Sequence, residues 1–241
     1  MKCRSPACSV PVMSDRCGYF VTGTDTGVGK TVVTLGLMQC LQAQGHSVAA
    51  MKPLASGCER HAAGMRNADA LLLQQQASVV LAYDQVNPYA FGPAIAPHIA
   101  AKQAGIIIET VKIINKYNNI ENSVDCMLVE GAGGWLVPLN ENETLADLAQ
   151  QLGLDIIMVV AIRLGCLNHA LLTAAAITAA GCTLAGWVAN LLPPLYGSAE
   201  ENISTLESRI SAPLLGVLPE FQGFSARTVA EKLSLPPLRN G

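Results

Sequence analysis

Nine consecutive residues carry the strongest chemical signal in the chain: Gly23-Thr24-Asp25-Thr26-Gly27-Val28-Gly29-Lys30-Thr31. They follow a short apolar run and open a helical pattern. In that setting successive backbone N–H groups and a helix N-terminus form a concavity for phosphate. Lys30 is then placed to reach β- and γ-phosphates, and the Thr31 hydroxyl to ligate Mg²⁺. The strict spacing wants a glycine at position 24, where this chain has Thr24, with Gly23 one residue early. The bland alternative is a glycine-rich turn with an incidental Lys-Thr pair. The strand before it and the helix after it make that the lesser reading.

A magnesium–phosphate site also needs carboxylates, because Mg²⁺ is a hard ion that takes oxygen ligands and keeps several waters. Glu130 closes the apolar run Cys126-Met127-Leu128-Val129 and precedes Gly131-Ala132-Gly133-Gly134. A carboxylate at the C-terminal end of a strand lies on the edge where open α/β sheets bind ligands. By itself Glu130 is equally well read as a solvated strand-end residue; beside a phosphate loop the functional reading leads. Asp69 is weaker, since an Asp opening a helix most often serves as a cap or a dipole partner.

These residues need a scaffold, and the chain alternates strand and helix patterns throughout. Strands are expected at Gly18–Thr22, Ser47–Met51, Asp125–Glu130, Asp155–Ile162, Thr183–Asn190 and Leu214–Leu218. They are apolar on both faces, as strands of a covered parallel sheet are. Helices are expected at Lys30–Gln44, stopped by Gly45, near Asp69–Ala77, at Leu145–Leu152, at His169–Ala180, stopped by Gly181, and at Glu200–Ile210. This order predicts a doubly wound, mostly parallel α/β sheet with helices on both faces and right-handed crossovers. Residues 1–13 read as a disordered leader and 14–241 as a single domain.

Composition narrows the partners. Apolar residues make up 51% and charged residues 14% of the chain, which excludes intrinsic disorder. A net charge of −3 leaves no basic footprint for nucleic acid or an anionic membrane. His169–Leu192 is the most apolar long segment, but Thr173, Thr178, Gly181 and Asn190 within it argue for a buried helix plus a strand, not a membrane span. The eight cysteines form no C-x-x-C pair and complete no zinc pattern. Cys126 reads as a free thiol acting as a small hydrophobe, and the overall spread as that of a reducing, cytoplasmic protein.

With these residues in place, the chain resembles the dethiobiotin synthetase family from about Gly18 to Pro219. The resemblance rests on many short motifs in order. They include Tyr19–Thr26 with Val28–Thr31, Lys52-Pro53 with Ala55-Ser56-Gly57, Arg66–Ala70, Val86–Tyr89, Pro97-His98-Ile99, Leu128–Trp135, Leu164–Ala170, Ala185–Asn190 and Pro213–Gly216. Thr24 is itself what the family shows. The resemblance implies an ATP- and Mg²⁺-dependent enzyme that converts 7,8-diaminopelargonate and CO₂ to dethiobiotin, ADP and phosphate through a carbamate and its mixed anhydride with phosphate. By that resemblance Lys52, Lys30 and Thr26 are catalytic. Mg²⁺ goes to Thr31, Asp69 and Glu130. The nucleotide lies along Gly27, Val28, Gly29, Lys30, Thr31 and Val32, with Asp69, Glu130, Gly131, Ala132, Gly133, Asn190, Leu191, Pro219, Glu220 and Phe221. The substrate lies on Thr26, Lys52 and Ser56, and on Gly165, Cys166, Leu167 and Asn168 before a helix. In the family these last residues act across a dimer, so a homodimer is expected.

Without the resemblance, Lys52 reads as an ordinary exposed lysine, Ser56 as a loop serine and Asn168 as a helix N-cap. Trp135 and Trp187 read as core or interface anchors, and Phe221 matches the family poorly. A regulatory or partitioning ATPase with a related phosphate loop is the rival. Such relatives carry a second lysine early in the loop, where this chain has Thr24 and Asp25. An inactive paralogue is the third reading, opposed by the intact Lys30, Thr31, Lys52, Asp69 and Glu130.

Overall fold

The structure is a computed structural model, and it describes residues 17–194 and 197–236. Residues 1–13, expected as a leader, lie outside the described residues. The chain begins with β1 (Cys17–Gly23), α1 (Lys30–Ala43) and β2 (Val48–Met51). Short elements follow: β3 (Leu54–Ala55), β4 (Glu59–His61), β5 (Gly64–Arg66), α2 (Ala68–Gln76), α3 (Tyr83–Val86), β6 (Tyr89–Ala90), α4 (Pro97–Gln103) and α5 (Thr110–Glu121). The second half contains β7 (Cys126–Glu130), α6 (Leu145–Leu152), β8 (Asp155–Ala161), α7 (Cys166–Ala179), β9 (Leu184–Asn190), α8 (Ala199–Arg209), β10 (Leu214–Leu218) and α9 (Ala226–Ala230).

Six strands form one sheet in the order β10-β9-β8-β1-β7-β2, and every pairing is parallel. From β1 the chain crosses over to β2 and returns to β7, then passes to the other side of β1 for β8, β9 and β10. The crossover direction therefore reverses around β1. The C-terminal end of β1 is a topological switch point, where such sheets open a crevice for a ligand. The phosphate loop leaves β1 there.

Alternation along the strands explains the two covered faces. On β8, Ile157, Val159 and Ala161 join the larger core, with residues of α1, α5 and α6 such as Leu37, Ile113 and Leu148. Met158 and Val160, one residue out of step, pack with Trp187, Ala170 of α7 and Leu206 of α8 in a second core. A two-residue period sends successive side chains to opposite faces. Both faces are therefore apolar, and the strands read as continuous hydrophobic runs. Trp135 and Trp187 are both core residues.

Local signals set most boundaries. The helix α1 stops where Gly45 adopts φ +92°, and α7 stops before Gly181 at φ +72°. Thr144 and Asp147 form a reciprocal capping box that starts α6. The apolar stretch from His169 resolves into the rest of α7 and then β9, and no helix among the described residues is long and apolar enough to cross a membrane.

Three expectations need correction. The helix expected from His169 begins at Cys166 with Gly165 as its N-cap, so Asn168 lies inside the first turn and is not the cap. Gly165 has φ +91°, a conformation open to glycine, and this lets the turn start three residues early. Asp69 is likewise not a cap: Asn67 caps α2 by accepting the Ala70 N–H at 3.2 Å. Cys126 is not a free thiol. It lies directly opposite Cys17 in the β1–β7 ladder and the two form a disulfide. Parallel register places their Cα atoms 4.6 Å apart, within bridging range. Cys40, Cys58, Cys166 and Cys182 are free.

Candidate active site

Gly29 adopts φ +95°, a left-handed conformation that turns the chain into α1. A Cβ at Gly29 would lie 2.1 Å from the Asn190 amide nitrogen. Position 29 is thus restricted twice, by its backbone and by a neighbour. The same Asn190 amide donates to the Val28 carbonyl at 2.9 Å, tying the end of β9 to the phosphate loop. Lys30 is buried and donates to the carbonyls of Asp25 (2.9 Å) and Gly133 (2.7 Å). Its ammonium spans the loop and the glycine turn after β7. Thr26 is exposed, with its N–H on the Asp25 carboxylate at 2.7 Å.

Glu130 is 0% exposed, and Lys52 only 6%. The bland readings of both as solvent-facing residues therefore fail. Lys52 leaves the end of β2, Glu130 ends the adjacent strand β7, and Asp69 comes from the first turn of α2. They meet around the Lys52 ammonium, which lies 2.6 Å from Asp69 Oδ2 and 2.5 Å from Glu130 Oε1. Thr31 donates its hydroxyl to the same Glu130 oxygen at 2.9 Å. The second oxygen, Oε2, is buried and has no hydrogen-bond partner among the described residues. A hydroxyl, a second carboxylate and an unsatisfied carboxylate oxygen make a donor set suited to a hard cation that also keeps waters.

Burial lowers the pKa of Lys52, but the Glu130 and Asp69 carboxylates outweigh it and hold that pKa above the ordinary lysine value. Lys30 behaves in the opposite sense. Burial is the largest influence, Lys52 adds repulsion, and its pKa falls to about 8 although Glu130 opposes the shift. A polyanion at the loop favours the charged form. Nucleotide binding at pH 8 should therefore take up about half a proton per site, and affinity should decline as pH rises through 8. Calorimetric titrations in buffers of different ionisation enthalpy measure this directly. Binding without proton uptake at pH 8 would contradict it.

The remaining expected residues fall around the same sheet edge. Gly131, Ala132 and Gly133 continue from Glu130, with the Gly131 N–H on the Val21 carbonyl at 3.0 Å and Gly133 at φ +67°. Val32 follows Thr31 on α1 and is half-buried. Leu191 follows β9 and donates its N–H to Leu218 at 2.9 Å, which brings Pro219, Glu220 and Phe221 to that side. Of these three only Phe221 is half-buried. Ser56 has a buried Oγ with no partner among the described residues. Cys166 is buried, and Leu167 and Asn168 offer first-turn N–H groups that have no carbonyl one turn back.

One link was not read from the sequence. Arg163, just before α7, pairs with Asp25 Oδ2 at 2.7 Å and so joins the α7 entry to the phosphate loop. The two residues are 138 positions apart, beyond the reach of any local pattern.

A phosphate loop leaving the first strand of a parallel sheet, at the switch point, with a lysine and a glutamate on neighbouring strand ends, defines a P-loop nucleotide-binding domain. Residues 17–228 match the AAA domain family. The chain is 50% identical over 224 residues to the ATP-dependent dethiobiotin synthetase BioD of Pseudomonas paraeruginosa, covering 92% of this chain and 98% of that one. It is 49% identical over 220 residues to BioD of Cellvibrio japonicus, covering 91% and 96%. The chain belongs to the ATP-dependent dethiobiotin synthetase (BioD) family. Among solved structures, the MinC:MinD cell division protein complex of Aquifex aeolicus superposes with a TM-score of 0.55 at 16% identity, over 89% of this chain and 86% of that one. That likeness is one of fold alone.

Proposed function

We propose that this site carboxylates 7,8-diaminopelargonate with CO₂ and closes the product to dethiobiotin, with Mg²⁺ and ATP consumed to ADP and phosphate. The observation that carries the proposal is the meeting of Lys52 with Asp69 and with Glu130, which also accepts from Thr31, beside the phosphate loop. One amine of the substrate attacks CO₂ and loses a proton to leave a carbamate. A carbamate oxygen attacks the γ-phosphorus and ADP departs. The second amine attacks the carbamoyl carbon and loses a proton, phosphate leaves with the C–O bonding pair, and a cyclic urea results. The scheme has no enzyme nucleophile, so the protein acts by positioning and by neutralising charge on the transferring group.

Lys30 is assigned to the β/γ-phosphates, Lys52 to the γ-phosphate and carbamate, and Thr26 and Ser56 to the substrate side. Asn190, with donors and an acceptor on one amide, suits the mixed edge of adenine. Thr31, Asp69 and Glu130 are the residues that would hold Mg²⁺, which when bound neutralises charge on the nucleotide phosphates. The first turn of α7, Gly165 to Asn168, is assigned to the terminal carboxylate of a substrate bound mainly to a second copy, so the working unit is a homodimer.

The deciding assay follows phosphate release with bicarbonate, Mg²⁺ and the diamine against a control without diamine. Release that requires the diamine and yields a cyclic urea supports the reading; release indifferent to the diamine favours a regulatory ATPase. Asp69→Ala should shift the Mg²⁺ concentration for half-maximal activity upward by about tenfold, the scale of one lost charge-assisted contact. An unchanged Mg²⁺ titration would remove Asp69 from the metal set.

A further inference from the structure

Lys52 is held at both ends. Its ammonium lies between Asp69 and Glu130, and its peptide group is fixed as well. The Lys52 N–H donates to the Val86 carbonyl at 2.8 Å, and its carbonyl accepts from Asn87 Nδ2 at 2.7 Å. Asn87 is buried, and its Oδ1 accepts the Tyr83 hydroxyl proton at 2.9 Å. The Tyr83 oxygen in turn accepts the N–H of Asn67 at 2.7 Å. Asn67 is the N-cap of α2, and Asp69 stands two residues further along that helix. A single phenol oxygen thus ties together the segment that bears Lys52 and the helix start that bears Asp69. The Arg66 guanidinium lies 4.1 Å from the Tyr83 ring centroid and fixes the ring. Burial raises the Tyr83 pKa, so the phenol retains the proton it donates to Asn87.

We propose that Tyr83 and Asn87 are positioning residues, which set the separation and direction in which Lys52 and Asp69 meet at the transferring phosphoryl group. The proposal rests on the roles given to Lys52 and Asp69 above. Its physical basis is that charge stabilisation works only where the groups are held in advance, and small displacements are costly. Tyr83 and Asn87 act through Lys52 and Asp69, not by touching nucleotide or substrate.

Tyr83→Phe keeps the ring and its contact with Arg66 and removes only the hydroxyl. It should lower kcat about tenfold and raise the half-maximal Mg²⁺ concentration severalfold, with KM for ATP within about twofold and the thermal midpoint within a few degrees of the parent. Asn87→Ser breaks the same link from the Lys52 side. It should show the same pattern, and it serves in place of Tyr83→Phe if that variant does not fold. In an Asp69→Ala background, Tyr83→Phe should cost less than about threefold in kcat, because one of the two groups it aligns is gone. Parental kcat and Mg²⁺ dependence would overturn the proposal. So would a lower melting point with unchanged kcat, or a tenfold loss undiminished in the Asp69→Ala background. Lys52→Ala separates this failure from that of the underlying reading. If Lys52→Ala keeps full turnover, the role of Lys52 and the positioning proposal fall together. If Lys52→Ala is inactive while Tyr83→Phe is fully active, only the positioning proposal falls.

Discussion

Lys52→Ala is expected to reduce diamine-dependent phosphate release by about three orders of magnitude, the scale seen when a preorganised donor to a developing charge is removed. ATP affinity should stay within about threefold, because Lys30 and the loop amides still hold the phosphates. The split follows from position. Lys30 lies in the loop itself, whereas Lys52 reaches the site from β2 and is fixed between Asp69 and Glu130. Steady-state kinetics with a parallel nucleotide titration test both halves. Full activity in this variant would remove the mechanism. Equal losses in nucleotide binding and in turnover would instead make Lys52 a general phosphate anchor.

Glu130→Gln should be the most destabilising single change at the site. Glu130 is fully buried, and its Oε1 accepts from both Lys52 and Thr31. The variant leaves the buried Lys52 ammonium with only the partly exposed Asp69 carboxylate, and losing the buried member of the pair costs about 3 kcal/mol. Turnover should fall at least about a hundredfold, since Lys52 loses its fixed position and the metal set loses a carboxylate. The double variant Lys52→Met/Glu130→Gln removes both charges. It should be more stable than the sum of the two single losses predicts, because no buried charge is stranded. Denaturant unfolding of the three variants and the parent gives the coupling. Additive losses would show that the two side chains do not stabilise each other.

The sequence by itself determined what depends on near neighbours along the chain. Leu145–Leu152 and Leu214–Leu218 were placed with their observed boundaries. An apolar period and a glycine stop act within a few residues, so the pattern is complete in the local sequence. The parallel sheet followed from strands apolar on both faces, and the phosphate loop from Gly29-Lys30-Thr31 between a strand and a helix. The helix α5 and the early start of α7 lie outside the local patterns described above. The latter depends on a left-handed Gly165, a backbone state that the glycine permits but does not announce.

The tertiary structure alone decided the partnerships. From residue types Lys52 was an ordinary lysine and Glu130 an even choice between roles; the motif resemblance raised both, but neither showed that they touch. Their contact exists because β2 and β7 are neighbours in the sheet, an order no local pattern encodes. The same holds for Cys17 with Cys126, opposite each other in a parallel ladder, and for Arg163 with Asp25 across the strand ends. Tyr83 reaches Asn87 within its own helical turn, but its bond to Asn67, 16 residues back, is set by where α3 packs. Propensity and patterning are short-range and can be read from the chain. The electrostatics of this site come from groups brought together by strand order and burial, which only the assembled fold fixes.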